Sequence, residues 1–225
     1  MNFVIAGGHG QIALRLTGLL VVHDNAVTGL IRDPDQEDDL IAVGADPVVC
    51  DLETATQGEI ETAVAKHDAI VFAAGAGPGS GPERKETVDY AASKRLLDAA
   101  RVTGIRRYVM ISAMGAGDPP TDADDDVFSV YLRAKARADA ELRAAGLDHT
   151  IVRPGQLTDD PGTDAVDIGA SLSGGAVTRD DVAAVLAGVL VDPGTIGRTF
   201  DVVNGTTPIE DAVAGVEAAI PPDAP

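Results

Sequence analysis

The sequence predicts an α/β protein, a doubly wound parallel sheet with helices on both faces and a small region appended on the C-terminal side. Three observations predict it. Short apolar, β-branched runs alternate with helix-patterned segments almost from end to end. The runs are continuous rather than alternating, which suits strands buried on both faces of a parallel sheet. The turns between them are short, as right-handed β-α-β crossovers require. The chain has 225 residues, enough for one such domain with a full core.

Taken in order, strands are expected at 2–6, 26–31, 47–50, 69–73, 107–112 and 149–153, with helices at 10–22, 35–43, 59–66, 83–103 and 127–145 between them. After Arg153 the alternation weakens. Residues 154–178 read as a small substrate-side loop region with one short strand near 166–168, followed by a helix at 179–190, a strand at 199–203 and a helix at 209–219. This gives one domain over 1–220 and a tail, 221–225, expected to be disordered. The segment 117–126 is a solvated acidic loop whose last aspartates can cap the helix that follows.

The first junction carries the most chemistry. Phe3-Val4-Ile5-Ala6 runs without a spare residue into Gly7-Gly8-His9-Gly10-Gln11-Ile12-Ala13 and then into a helix. Glycines in that place let the backbone approach a pyrophosphate, and the free N–H groups of the new helix face the anion. The plainer alternative is a strand-to-helix turn that merely needs glycine. His9 sits in the turn, within reach of a bound dinucleotide.

The second strand ends Gly29-Leu30-Ile31-Arg32-Asp33-Pro34. An acidic residue there would bind a ribose 2′-hydroxyl, whereas an arginine accommodates a 2′-phosphate. Arg32 therefore points to NADP(H) rather than NAD(H), with Asp33 as the competing feature. A surface arginine paired with Asp33 or Asp35 is the structural alternative. Asp51 and Leu52 follow the third strand, where a carboxylate could meet an adenine amino group or cap the next helix. Ala73, Ala74 and Gly75 follow the fourth, small enough for a ribose to lie on the backbone, or simply a glycine-requiring loop.

Ser112 ends the fifth strand at the same sheet edge and could polarise a substrate carbonyl. Tyr131 and Lys135 stand at i and i+4 on one helix face. An isolated phenol titrates near pKa ~10, and a nearby ammonium is expected to lower that value. The ordinary reading of such a pair is an exposed helix surface.

Composition excludes several classes. The net charge is −19, from 17 basic and 36 acidic residues, which argues against nucleic acid or an anionic membrane as partner. Adaptation to high salt and ordinary acidity account for it equally well. Cys50 is the only cysteine and reads as a small buried hydrophobe. No signal peptide, membrane span, metal-ligand spacing or Gly-x-Ser-x-Gly elbow is visible, so a cytoplasmic protein acting on a small molecule is expected.

Gly7-x-x-Gly10-x-x-Ala13, Ser112 and Tyr131-x-x-x-Lys135 resemble the short-chain dehydrogenase/reductase superfamily. More narrowly, residues 29–34, 87–90, 131–139 and 150–155 are similar to its atypical short members, the NAD(P)H-binding and epimerase-like branch. The resemblance spans about 2–219 and implies a Rossmann-type fold. It implies that Gly7, Gly10, Gln11 and Ile12 line the pyrophosphate, that Arg32 takes the 2′-phosphate, and that Asp51 and Leu52 meet the adenine. Lys135 would hold the nicotinamide ribose, Pro154 and Gly155 would lie near the nicotinamide, and Ser112 and Tyr131 would polarise and protonate a carbonyl. Two positions depart from the pattern. Ala13 replaces a glycine, and Asp89 stands where the usual catalytic set has asparagine, so its charge could pair with Lys135 and weaken that lysine's effect on Tyr131.

Three functions are compatible with these residues. They are an NADPH-dependent oxidoreductase using a carbonyl, flavin or quinone acceptor, a non-catalytic NAD(P)H-binding sensor, and a sugar epimerase or dehydratase. The substrate mouth would be framed by 75–82, the acidic loop before Val127 and 158–175, and the acidic loop is expected to disfavour anionic substrates.

Overall fold

A computed structural model describes residues 1–77, 79–121 and 126–223. Among them, strands β1 (Asn2–Ala6), β2 (Ala26–Ile31), β3 (Asp46–Val49), β4 (Ala69–Phe72), β5 (Arg107–Ile111), β6 (Asp148–Pro154), β8 (Ala165–Gly169), β10 (Arg198–Asn204) and β11 (Thr207–Pro208) form a nine-stranded sheet. Its spatial order is β11-β8-β10-β6-β5-β4-β1-β2-β3. From β3 to β10 the neighbours are parallel. Only β8, paired with β10 and β11, runs antiparallel, at the edge that the C-terminal region adds to the doubly wound parallel sheet.

The parallel strands are apolar on both faces because each face has its own core. Phe3, Ile5, Val71 and Val109 pack on one side with α1 (Gln11–Val22) and α7 (Arg179–Val191). Val4, Ala6, Phe72 and Met110, their alternates, pack on the other with α3 (Gln57–Val64), α5 (Ser93–Thr103) and α6 (Val127–Arg143). This period of two is what a strand imposes, and each fully buried large side chain contributes about 1.5–3 kcal/mol. Local signals fix the helix starts. Thr56 and Glu59 form a reciprocal capping box that starts α3 at Gln57. Asp126 accepts from Phe128 N at 2.9 Å and Ser129 N at 3.2 Å, so the last aspartate of the acidic segment does cap α6. The four residues before it, 122–125, lie outside the described residues.

Three features differ from expectation. The helix foreseen at 83–103 is a short α turn, α4 (Pro82–Arg84), then a π-helical stretch, Lys85–Ala92, then α5. The segment 154–178 contains two further short strands, β7 (Gln156–Thr158) and β9 (Ala176–Thr178), which pair in parallel. The tail is held at Asp223 rather than disordered: its carboxylate accepts from Thr199 Oγ1 at 2.7 Å and meets His149 Nε2 at 2.9 Å, and its N–H donates to Gly197 O at 2.7 Å. Residues 224–225 of that tail lie outside the described residues. Among the described residues, no helix is long and apolar enough to cross a membrane.

Strand order reverses between β1 and β4, whose outer neighbours lie on opposite sides. The crevice beyond the carboxyl ends of strands at such a point is where open α/β sheets bind ligands.

Candidate active site

A cavity of about 260 Å³ opens at that reversal. Gly7, His9 and Gly10 line it from the first turn, Arg32 from the end of β2, Asp51 and Leu52 from the end of β3, and Ala73, Ala74 and Gly75 from the end of β4. The turn can form only with glycine. Gly7 has φ +79°, and a Cβ there would sit 2.7 Å from Ala74 Cα. Gly8 would place a Cβ 2.7 Å from Gly29 Cα, so two backbones approach where side chains cannot. The helix that follows has no side-chain cap and no acidic residue in its first turn. Its leading N–H groups and dipole therefore present an anion site toward the crevice.

Not every sequence-based candidate reaches the cavity. Gln11 and Ile12 open α1 but do not line it, and Ile12 packs into the core. Pro154 ends β6 and Gly155 follows it against β9, where a Cβ would come within contact of Gly175 O; neither lines the cavity. His9 Nε2 lies 2.7 Å from Asp39 Oδ2. Arg32 is exposed and, among the described residues, forms no ion pair. Asp33, its rival, instead accepts from Asp35 N at 3.0 Å.

The remaining candidates gather beside the cavity. Lys135 is buried on α6; its Nζ lies 3.3 Å from Asp89 Oδ1 and donates to Ile111 O at 3.1 Å. Asp89 also accepts from Ala76 N at 3.2 Å, which ties the π-helical stretch to the loop after β4, one residue beyond cavity-lining Gly75. Tyr131 sits one turn before Lys135, with the ammonium 5.8 Å from its ring centroid. Ser112, just past β5, donates its N–H to Val152 O at 2.8 Å, and its hydroxyl is buried. Behind it Asp139, one turn after Lys135, accepts from Arg153 Nε and Nη2 at 2.9 and 2.8 Å.

Residues 7–193 match the model of a family described as NAD(P)H-binding. The chain belongs to this NAD(P)H-binding family. It is an atypical short-chain dehydrogenase/reductase with a Rossmann-type fold. A Bacillus subtilis relative described as the uncharacterized sugar epimerase YhfK is 36% identical over 95% of this chain and 99% of its own. A Bacillus halodurans structure assigned provisionally as an NAD-dependent epimerase/dehydratase is 36% identical, with TM-score 0.88 over 95% of this chain and 99% of that one. The oxidoreductase ylbE of Lactococcus lactis is 25% identical and superimposes over the whole of both chains with TM-score 0.85.

In this NAD(P)H-binding chain the electrostatics depart from the simple tyrosine-lysine expectation. Burial dominates and raises the Tyr131 pKa; Lys135 lowers it, but Asp89 and Asp139 raise it further, leaving the phenol above its ordinary value. The expected net lowering is thus overturned. Lys135 itself titrates above its ordinary value: burial works against the charge, but Tyr131, Asp89 and Asp139 outweigh it. The Tyr131 phenol is therefore protonated at neutral pH. Asp139 is raised by burial, against the pull of Arg153.

Sequence reasoning missed Gln36, Cys50, Glu53, Arg84, Val88 and Ala92 as cavity-lining residues. Cys50 combines both roles, since burial raises its thiol pKa and keeps it neutral at the wall. Arg84 pairs with Glu53 at 2.8 Å, and Thr87 donates to the same carboxylate at 2.6 Å. This link joins the loop after β3 to α4 and the π-helical stretch; no local pattern announces it. Among the described residues, no group of three His, Cys, Asp or Glu side chains is arranged for a metal.

Proposed function

We propose that the protein is an NADPH-dependent reductase of a small carbonyl-like, quinone or flavin acceptor. One observation carries the reading. The glycine-walled cavity and the Ser112–Tyr131–Lys135 cluster adjoin along one sheet edge, joined where Asp89 grips the loop after β4. The residues fit a dinucleotide. Gly7 and Gly10 leave room that a Cβ would fill, the first turn of α1 faces the pyrophosphate, and exposed Arg32 suits a 2′-phosphate. Asp51 and Leu52 would meet the adenine, and Lys135 the ribose hydroxyls. When bound, the nicotinamide supplies the hydride.

The chain's own residues do the rest. Ser112 orients the acceptor's oxygen, and Tyr131 donates the proton. The phenol is protonated at neutral pH, as proton donation requires, although its raised pKa makes it a weaker acid than an ordinary phenol. A second reading, a non-catalytic NAD(P)H sensor, is favoured by the Asp89–Lys135 pair, which spends the lysine's charge on a carboxylate. Epimerase or dehydratase chemistry on a sugar nucleotide has less room, since the substrate-side segment holds only the short strands β7, β8 and β9 and their loops.

Nucleotide titration followed by turnover separates these readings. NADPH should bind more tightly than NADH, and Arg32→Ala should remove that preference. Tyr131→Phe should lower NADPH-dependent reduction of an aldehyde or quinone panel by about 10²–10⁴-fold with NADPH affinity unchanged. Binding without turnover by the wild type would favour the sensor. No binding of either nucleotide would remove both readings.

A further inference from the structure

Two lysines lie against the Tyr131 ring, in different electrostatic states. Lys135 is neutralised by Asp89 at 3.3 Å. Lys85, the first residue of the π-helical stretch, places its Nζ 5.3 Å from the same ring centroid. It is only 8% exposed and donates to the Gly77 carbonyl at 2.9 Å. Among the described residues, no carboxylate lies within 4.0 Å of it. Buried charges are ordinarily paired. A carbonyl satisfies one of the three ammonium donors and an aromatic face attracts a cation, but neither cancels the charge. In a chain with 36 acidic residues against 17 basic ones, a buried ammonium without a carboxylate partner is informative.

The phosphates of a dinucleotide in the cavity would have other cations. Lys85 does not line the cavity, whose cations are Arg32 and Arg84. It lies instead on the Tyr131 side, where the acceptor must approach the proton donor. We infer that Lys85 is the anion-binding residue of the substrate site and that the acceptor carries a carboxylate beside its reducible carbonyl. This reverses the expectation that the acidic segment disfavours anionic substrates. It rests on the reductase reading for the role of Tyr131, but carboxylate binding needs no turnover.

The test uses a matched pair, 4-carboxybenzaldehyde and 4-formylbenzamide, titrated into protein saturated with NADP⁺ so that no hydride is available. Affinities are read by calorimetry for wild type, Lys85→Gln and Lys85→Arg. The glutamine retains a donor for Gly77 O without the charge. Wild type should bind the acid about tenfold more tightly than the amide. Lys85→Gln should lose that preference, and Lys85→Arg should keep most of it, with NADP⁺ affinity equal in all three. Equal wild-type binding of acid and amide, or a preference that survives in Lys85→Gln, would overturn the inference. If Lys85→Gln fails to fold, Lys85→Met takes its place, and the wild-type comparison is decisive either way. Failure of NADP⁺ to bind would sink the reductase reading; the same pair titrated into the nucleotide-free protein then tests Lys85 alone.

Discussion

The two edges of the parallel sheet treat their charges differently. At the amino-terminal edge the charges are tied down. Arg107 donates to Asp148 O, Thr150 Oγ1, Val189 O and Thr195 Oγ1. Arg106 forks onto Asp148, Arg198 holds three carbonyls, and His149 meets Asp223. At the carboxyl edge, Arg32 and Lys85 have no carboxylate partner among the described residues, whereas Lys135–Asp89, Arg84–Glu53 and Arg153–Asp139 are paired there. One edge ties its charges down, and the other pairs some of them but leaves the two cations Arg32 and Lys85 without a carboxylate among the described residues.

That contrast can be broken most forcefully at Arg107. Burial pulls its pKa down to about 10, against the pull of Asp148 and Asp192, and the guanidinium stays charged at neutral pH. Arg107→Met should cost about 3 kcal/mol or more in urea unfolding, because several buried acceptors lose their donor. NADPH affinity should not change. Arg32→Ala should do the reverse, altering stability by less than about 0.5 kcal/mol while abolishing the NADPH preference. Equal stability losses at the two sites would dissolve the distinction between the edges.

A subtler test lies inside the functional cluster. Asp89 raises the Tyr131 pKa, so Asp89→Asn should lower it. A reduction that needs protonated Tyr131 should then lose activity at lower pH, and the basic limb of the kcat profile should move down. An unmoved limb would show that Tyr131 is not the titrating donor.

The smallest effect is expected at Asp223. Burial opposes its ionisation, but hydrogen bonds from His149 and Thr199 prevail and hold its pKa below the ordinary value. A carboxyl depressed in the folded state contributes stability above its unfolded pKa, and that contribution fades as pH falls through the folded value. Asp223→Asn should therefore cost about 1 kcal/mol at pH 7, and the difference from wild type should shrink below about pH 4 in acid titrations of stability.

The parallel core was legible because burial on both faces leaves a continuous apolar run, as at Ala69–Phe72, whose meaning needs no distant partner. The glycine turn was legible for a similar reason, since Gly7 and Gly10 act through local backbone geometry. Thr56-x-x-Glu59 also carried a readable helix start, two residues ahead of the expected one. β7 and β9 were not legible: three residues each, they pair only because the chain folds back across 159–175. Lys85 and Asp223 were missed because burial by Tyr131, or docking on His149, is a tertiary event. Lys135 and the Asp89 that pairs with it were both visible in sequence, but the net effect on Tyr131 was misjudged because burial, the largest cause of its raised pKa, is a tertiary property.

The π-helical stretch has a consequence for insertions and deletions. Lys85 and Asp89 both lie in it, while α5 after it is fixed by Leu96 and Leu97 in the core. An α-helix turns about 100° per residue. Removing one residue between 90 and 92 and letting the wider turn relax to α would leave every named side chain in the sequence. Yet it would swing Lys85 and Asp89 around the axis by roughly that angle, away from Tyr131 and Lys135. In an alignment of relatives, a one-residue gap at this place would mark a change of chemistry more surely than most substitutions around it.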